Sequence, residues 1–240
     1  MHPHGYWQEL YPNGHFPPGA SEHGFAVALA DGDQVLLPIR ALPDGSHGLA
    51  SLIINQASFA VQDRLASEVG RRLAPFESEI VVGLPTLGLT LASAVARKLG
   101  HPRYVPLGTS RKFWYRDELS APLTSVTTPG QQKRLYLDPR MLPLIEGRRV
   151  ALVDDVISSG ASILAGLAVL HKAGVEPVAI GTAMLQSARW RSALPSATQG
   201  RIVAAFSTPM LEKTASGGWI PEASRAPEAA AAAAPAAPQS

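Results

Sequence analysis

The stretch from 148 to 163 constrains the fold of this chain more than any other part of the sequence. Its apolar run Val150 to Val153 ends at two carboxylates, Asp154 and Asp155, and a short turn rich in serine and glycine follows. Apolar residues then recur at helical spacing from Ile163 to Leu170. This order predicts a buried strand that ends abruptly at the two acids, then a loop, then a helix.

The turn after the two acids is suited to a phosphate group. The first amides of a helix have no intrahelical partners and lie at the positive end of the helix dipole. The hydroxyls of Ser158, Ser159 and Ser162 add hydrogen-bond donors. At the carboxyl end of a strand, where ligands of open α/β sheets bind, Asp154 and Asp155 can accept hydrogen bonds from sugar hydroxyls. The stretch therefore suits a ribose 5-phosphate, although Asp and Ser also favour ordinary turns and caps.

The same stretch resembles the phosphoribosyl pyrophosphate (PRPP) motif of type I phosphoribosyltransferases, which has four apolar residues, two acids, an apolar pair and a Ser/Thr-rich glycine turn. The resemblance implies that Asp154 and Asp155 contact the ribose 2- and 3-hydroxyls, and that any role of theirs toward Mg²⁺ is indirect because PRPP carries the ion. It also implies that the 5-phosphate is wrapped by Ser158, Ser159, Gly160, Ala161 and Ser162. The family more often has Thr at position 159 and Gly at position 161.

Composition narrows the class of protein. The 240 residues include no cysteine, so disulfides and thiolate metal sites are excluded, which fits a reducing cytoplasm. The net charge of +2 and only short basic clusters do not indicate nucleic-acid binding. No apolar signal core opens the chain and no segment approaches the length of a membrane span. We therefore expect a cytoplasmic protein without nucleic-acid or membrane partners.

Three segments are predicted along the chain. Residues 1–24, rich in His, Pro and Gly, are expected to form an irregular arm whose aromatic residues either pack as a flap or form part of a base-binding lid. Residues 25–222 are expected to hold one phosphoribosyltransferase domain. Residues 223–240 form an Ala/Pro-rich tail that cannot build a core and is expected to be disordered.

Periodicity predicts the other elements. A strand at 34–40 carries Pro38, which removes a ladder donor and favours a sheet edge. Apolar residues every four positions from 49 to 73 predict one long amphipathic helix. Further strands are predicted at 79–84, 103–107, 133–137, 175–185 and 201–206, and further helices at 91–99, 163–174 and 186–194.

The alternation of strands and helices predicts an α/β fold, with a mainly parallel twisted sheet and helices on both faces. The resemblance covers about residues 79 to 185. It implies the phosphoribosyltransferase fold with a small hood, built from the N-terminal arm or from the segment after 185.

Two loops complete the predicted site. By resemblance, the loop after the strand at 79–84 approaches pyrophosphate through Leu84, Pro85, Thr86, Leu87 and Gly88. Many purine enzymes of the family carry an Arg-Gly step there, and this chain has no arginine between 72 and 97, which leaves the base open. A nucleoside-triphosphate loop is not expected at this place, because Leu89 stands where that loop needs its lysine.

The second loop, from 108 to 130, is long for a compact domain, and such loops are usually functional or disordered. Arg111 and Lys112 resemble the Arg-Lys step that opens the mobile catalytic loop of adenine and orotate phosphoribosyltransferases, which implies that they offset charge on the leaving pyrophosphate. A solvated surface cluster is the alternative. Glu118 or Asp117 is the candidate acid or base toward the nucleobase.

The resemblance, together with these features, implies an enzyme that moves ribose 5-phosphate from PRPP to a nitrogenous base, a purine with adenine ranked first, and releases pyrophosphate with Mg²⁺ as cofactor. Catalysis is expected to rest on positioning and electrostatics. The aromatic residues at 113–115 are expected to pack over a closed site or a neighbouring subunit, and a homodimer is expected. Two alternatives stay open: a regulatory protein that senses PRPP without turning it over, and an orotate or pyrimidine phosphoribosyltransferase.

Overall fold

The computed structural model describes residues 2–17, 19–22, 24–123 and 133–222. The predicted tail at 223–240 and residues 124–132, which include the end of the predicted loop at 108–130, lie outside the described residues.

The strands are β1 (Gly19–Ser21), β2 (Gly24–Ala28), β3 (Gln34–Leu37), β4 (Ile39–Ala41), β5 (His47–Ala50), β6 (Ile80–Gly83), β7 (Val105–Pro106), β8 (Ser120–Leu123), β9 (Lys133–Tyr136), β10 (Val150–Ile157), β11 (Ala179–Gln186), β12 (Ile202–Thr208), β13 (Met210–Lys213) and β14 (Trp219–Pro221). The α-helices are α1 (Phe59–Leu73), α2 (Gly88–Lys98), α3 (Ala161–Lys172), α4 (Trp190–Ala193) and α5 (Ser196–Gln199). Short 3₁₀ helices lie at Pro3–Gly5, Ile54–Gln56, Ala74–Phe76, Asp117–Leu119 and Pro139–Leu144.

A parallel sheet of five strands forms the centre of the molecule, in the order β12-β11-β10-β6-β7. Numbered along the chain, these strands lie in the order 2-1-3-4-5, which is a doubly wound arrangement. The direction of winding reverses between β6 and β10. The crevice outside the carboxyl ends of these two strands is therefore the place where such sheets bind ligands.

Helices cover both faces of this sheet, as the sequence predicted. Alternate side chains of β10 enter two separate cores because successive residues of a strand point to opposite faces. Ala151 and Val153 belong to the core that contains the buried faces of α1 and α2, whereas Val150 and Leu152 belong to the core that contains α3. The predicted α/β fold is confirmed.

A second, four-stranded antiparallel sheet has the order β14-β13-β5-β4, and we call it the hood sheet. It combines strands from 210–221, which lie in the predicted segment after 185, with strands from 39–50, which lie beyond the N-terminal arm that was the other predicted source of the hood. Gln186, the last residue of β11, donates its amide Nε2 to the carbonyl of Ala50 at 2.7 Å and so connects the hood sheet to the central sheet.

Pro38 divides the predicted strand at 34–40 into β3 and β4. Strand β3 is an edge of a three-stranded antiparallel sheet of order β1-β2-β3, and β4 is an edge of the hood sheet, so the predicted edge position is confirmed. The helix predicted from 49 is wrong in its first ten residues. Leu49 pairs with Met210 in the hood sheet, and α1 begins only after Ser58, whose hydroxyl accepts a hydrogen bond from the Val61 amide at 3.3 Å.

The N-terminal arm is tied to the domain. The Trp7 side chain is buried, and its Nε1 donates to the carbonyl of Ser51 at 3.0 Å. Tyr11 makes an antiparallel bridge with Gln34.

None of the helices in the described ranges combines the length and apolar character that crossing a bilayer requires. The boundaries drawn at 24 and 222 stay predictions.

Candidate active site

The two acids occupy the last part of β10 rather than the loop after it. Asp154 pairs with Thr182 of β11, and the pairing continues to Ile157 and Leu185, so the prediction that the strand stops at the acids is wrong. The side chains are almost fully enclosed, since Asp154 is 5% exposed and Asp155 is 8% exposed. They lie at the carboxyl edge of the sheet, beside the reversal between β6 and β10.

Burial changes the electrostatics of this pair. Burial raises the pKa of Asp154 well above its usual value, and the neighbouring charge of Asp155 raises it further. Burial likewise raises the pKa of Asp155. The amide of Asp155 donates to Oδ1 of Asp154 at 2.9 Å, which meets only part of the acceptor capacity of two carboxylates. A ligand that brings hydroxyl donors or a cation would therefore be favoured here.

The loop after β6 packs directly against the acids. The Leu84 amide donates to the Val153 carbonyl at 2.9 Å. A Cβ built on Gly88 would lie 2.5 Å from Oδ1 of Asp154 and 2.9 Å from its Cα, so only glycine fits at the start of α2. Of the predicted pyrophosphate residues, Gly88 is thus packed against Asp154, whereas Leu84 is hydrogen-bonded to Val153, the residue before the acids, and has its side chain buried in the core.

The middle of that loop faces outward. Thr86 is exposed, Pro85 and Leu87 are half-buried, and the peptide between Pro85 and Thr86 is cis. These three residues form the accessible rim of the crevice beside β10.

The turn between β10 and α3 is short and contains a left-handed glycine. Gly160 has φ +83°, in the left-handed region that favours glycine, and it caps α3. Ser158 and Ser159 precede it, and Ala161 and Ser162 open the helix. The amides of this first turn have no partners within an α-helix, so the turn can accept an anion.

The predicted loop charges are exposed to solvent. Arg111 is exposed and forms an ion pair with Asp117, with 3.2 Å between Nε and Oδ1. Lys112 and Glu118 are also exposed. Within the described part of the chain, no hydrogen bond or ion pair connects Arg111, Lys112 or Glu118 to the turn between β10 and α3.

The aromatic residues of the loop differ among themselves. The Trp114 ring lies 4.4 Å from Cζ of Arg140, and its Nε1 donates to Asp138 at 3.3 Å. Tyr115 contacts Tyr136 of β9. Phe113, in contrast, is 96% exposed. Trp114 and Tyr115 thus pack on their own chain.

Arg189 is a residue that the sequence did not indicate. Its Nη2 donates to the Ser158 hydroxyl at 2.7 Å, across 31 positions of sequence. No motif surrounds it, so only the three-dimensional contact identifies it.

Metal-binding capacity is found at two places. Asp154 and Asp155 offer hard oxygen ligands, and Mg²⁺ is usually held by one or two carboxylates together with substrate phosphates and water. The pair therefore fits an ion that arrives with a phosphorylated substrate. Separately, within the described ranges, ligand atoms of His47, Glu212 and Glu222 on the hood sheet lie within 4.8 Å of one another.

Comparison with known proteins gives sequence relatives. The "Bifunctional protein PyrR" of Streptomyces coelicolor is 34% identical over 131 residues, which are 52% of this chain and 61% of the relative. A hypoxanthine/guanine phosphoribosyltransferase of Methanosarcina acetivorans is 32% identical over 121 residues, which are 49% of this chain and 59% of the relative. The chain thus spans about three fifths of the length of these curated relatives.

Solved structures share the fold. The APRTase from Giardia lamblia, complexed with 9-deazaadenine, has a TM-score of 0.52 and 21% identity, covering 71% of this chain and 93% of that one. The adenine phosphoribosyltransferase of Thermoanaerobacter pseudethanolicus has a TM-score of 0.50 and 15% identity, covering 62% of this chain and 81% of that one. A family model, the phosphoribosyl transferase domain, matches residues 49–212. The chain therefore belongs to the phosphoribosyltransferase family and has the type I fold.

Proposed function

We propose that the protein is a PRPP-dependent phosphoribosyltransferase, which moves ribose 5-phosphate from PRPP to a nitrogenous base and releases pyrophosphate. One observation carries the proposal. Two buried carboxylates, Asp154 and Asp155, lie next to an anion-accepting turn at 158–162, at the point where the winding of the sheet reverses.

Each part of PRPP has a proposed partner. The amides and hydroxyls of Ser158, Ser159, Gly160, Ala161 and Ser162 would bind the 5-phosphate. The ribose 2- and 3-hydroxyls would donate to Asp154 and Asp155. Such donors stabilise the ionised carboxylates and offset the cost that burial imposes on them. The accessible rim at 85–87 and the backbone of Leu84 and Gly88 would lie along the pyrophosphate.

The reaction breaks the bond between the ribose C1 and the pyrophosphate oxygen and forms a bond from C1 to a nitrogen of the base. Positive charge develops on the ribose as pyrophosphate leaves, and Asp154 and Asp155 would stabilise it from beside the ring. Mg²⁺ bound to PRPP would neutralise charge on the leaving group. Arg111 and Lys112 would add to this, which requires that the ion pair of Arg111 with Asp117 exchange for pyrophosphate. Glu118 stays the candidate acid or base.

The acceptor base is proposed from likeness to other enzymes. Adenine ranks first because Arg111 and Lys112 resemble the start of the catalytic loop in adenine and orotate enzymes. Hypoxanthine and guanine are further candidate acceptors, because a relative that is 32% identical over 121 residues is named as a hypoxanthine/guanine phosphoribosyltransferase. The expected homodimer and cytoplasmic location also belong to this proposal.

A PRPP-binding regulator without turnover is the second candidate. It is favoured by the exposed positions of Arg111 and Lys112, which in the described residues make no hydrogen bond or ion pair with the turn that would hold the substrate. A regulator needs the turn, but it does not need charges on a leaving group.

One experiment separates the two candidates. The protein is incubated with PRPP and Mg²⁺ and, in turn, adenine, hypoxanthine, guanine, xanthine, orotate and uracil, and pyrophosphate release is followed. The transferase predicts release that depends on one of these bases. If PRPP binds tightly in a parallel titration and no base releases pyrophosphate, the regulator replaces the transferase.

A further inference from the structure

The segment after β11, residues 187–194, packs against the turn between β10 and α3, and we call this segment the wall. A Cβ built on Gly160 would lie 3.2 Å from Cγ of Leu194 and 3.5 Å from Cβ of Ala193, so α4 and the residue after it pack against the turn. Arg189, just before α4, donates from Nη2 to the Ser158 hydroxyl at 2.7 Å. The wall and the turn are thus joined by apolar packing and by a hydrogen bond from a charged donor.

The wall holds Arg189 in a defined place. Its support begins at Ser187, which is 2% exposed and has φ +60°. A left-handed non-glycine residue is uncommon and persists only where its surroundings hold it. Here the Ser187 amide donates to the Thr208 carbonyl at 2.8 Å, and Nε1 of the buried Trp190 donates to the Ser187 carbonyl at 3.1 Å. The backbone on either side of Arg189 is therefore fixed, although its guanidinium is exposed.

The contact has a direction. A guanidinium can only donate hydrogen bonds, whereas a serine hydroxyl has one donor and two acceptor lone pairs. Because Arg189 occupies an acceptor lone pair of Ser158, the hydroxyl proton remains available for an acceptor on the open side of the turn. Among the ion pairs of the described residues none includes Arg189, so its positive charge also stands beside the turn without a carboxylate to cancel it.

We infer that Arg189 is a positioning residue, which orients and polarises the Ser158 hydroxyl toward the 5-phosphate of the sugar substrate. This inference rests on the proposed function, because the turn has to be the phosphate site. Hydrogen bonds to ionised groups are stronger than those between neutral groups. The hydrogen bond from the Ser158 hydroxyl to an anionic phosphate is therefore the one that the charge of Arg189 strengthens most.

Ribose 5-phosphate is the probe, because it carries the 5-phosphate without pyrophosphate. We expect Arg189→Gln to weaken its binding in calorimetry by about tenfold, and Arg189→Lys to recover part of the loss. Arg191→Gln is the matched control. It removes the same charge two residues away, where the guanidinium lies 5.1 Å from the Trp190 ring instead of at the turn, and it should leave binding unchanged.

A double-mutant cycle tests the route through Ser158. In a Ser158→Ala background, Arg189→Gln should have almost no further effect, because the hydroxyl that it positions is gone. A full tenfold loss in that background, or unchanged binding in the single variant, would overturn the inference while leaving the proposed function in place. Absence of ribose 5-phosphate binding to the unaltered protein would instead remove the phosphate site itself, and with it both proposals.

Discussion

Asp154 and Asp155 are buried in a way that costs stability, so the pair is better explained by a ligand than by folding. In an unfolded chain both acids ionise near the usual aspartate pKa, whereas in the folded protein burial raises the pKa of each. The unfolded state therefore loses its protons at lower pH than the folded state does. The penalty is absent below the unfolded pKa and grows as the pH rises toward the folded values.

Asp154→Asn should accordingly stabilise the protein without ligand. The amide oxygen of Asn can still accept the hydrogen bond from the Asp155 amide. We expect the free energy of unfolding in urea to rise at pH 7.5 by about 1 kcal/mol, because the neutral amide carries no charge that burial would penalise. Near pH 4 the gain should become small. A variant that is less stable than the parent at pH 7.5 would contradict this account of the pair.

Gly160→Val tests the backbone of the turn. The substitution forces a β-branched residue into φ +83° and toward Leu194, and we expect it to lower stability by roughly 2 kcal/mol and to weaken PRPP binding at least tenfold. Gly174→Val is the control, because Gly174 has φ +72° at the other end of α3 with nothing near its Cβ. It should also lose stability, yet bind PRPP normally. Equal PRPP affinity in both variants would reduce Gly160 to an ordinary turn residue.

At this scale the sequence indicates only residues that are close together in the chain. The two acids and the turn with Gly160 could be predicted because strand, acids and glycine follow one another within a few positions. The contact of Arg189 with Ser158 could not, because α3 and β11 lie between the two residues in the chain. The contact of Gly88 with Asp154 could not either, because α2, β7, β8 and β9 separate them.

Among the elements, the 3₁₀ helix at Pro139–Leu144 supports the long loop through one acid. Asp138 caps this helix by accepting from the Arg140 amide at 3.0 Å, and it accepts from Nε1 of Trp114 at 3.3 Å. The Arg140 side chain, with these hydrogen bonds, lowers the pKa of Asp138 to about 2. A lowered pKa contributes stability that is present above the unfolded value and lost as the pH falls toward 2.

We expect Asp138→Ala to cost about 1–2 kcal/mol at pH 7, from the lost cap and the unpaired indole, and to increase the solvent exposure of Trp114 in fluorescence quenching. The difference from the parent protein should shrink between pH 4 and pH 2, where Asp138 becomes protonated. Glu146→Ala, which removes an exposed acid, should do neither. A pH-independent difference would show that the cap rather than the charge matters.

The charges at the start of the long loop give a kinetic prediction. If Arg111 and Lys112 act on the leaving group, Arg111→Ala with Lys112→Ala should lower turnover much more than PRPP affinity, because the interaction strengthens as pyrophosphate separates. Arg97→Ala with Lys98→Ala removes two basic residues from the last turn of α2 and should change neither. Equal losses in both double variants would indicate a general effect of charge.

The predicted elements succeeded where local pattern and packing agree. The two strand-loop-helix units, β6 with α2 and β10 with α3, have long apolar runs followed by helical spacing. The resemblance implied a small hood, but strands β5, β13 and β14 of the hood sheet were not predicted, because they are short and β5 pairs with β13, more than 150 residues further along the chain. Because of the same pairing, Leu49 and Ala50 belong to strand β5 and not to the helix that their spacing had indicated.

At the scale of the whole molecule, the order of the central strands explains why one site forms. The reversal between β6 and β10 brings the loop at 84–88 against the acids, and the return of the chain after β11 brings Arg189 to the turn. The hood sheet is tied to the end of β11 through Gln186. The residues proposed to bind the sugar, the phosphate and the pyrophosphate are far apart in sequence, and this fold brings their elements to one edge of the sheet.

The most direct test is a calorimetric titration of Mg²⁺ and PRPP into the protein and into the double variant Asp154→Asn with Asp155→Asn. The acids are buried, and each Asn keeps the shape of its Asp, so circular dichroism should show the same fold in both. We predict saturable binding to the parent protein and binding at least about 100-fold weaker in the variant, since two hydrogen-bonded carboxylates are lost. Equal affinity in the two proteins would contradict the account.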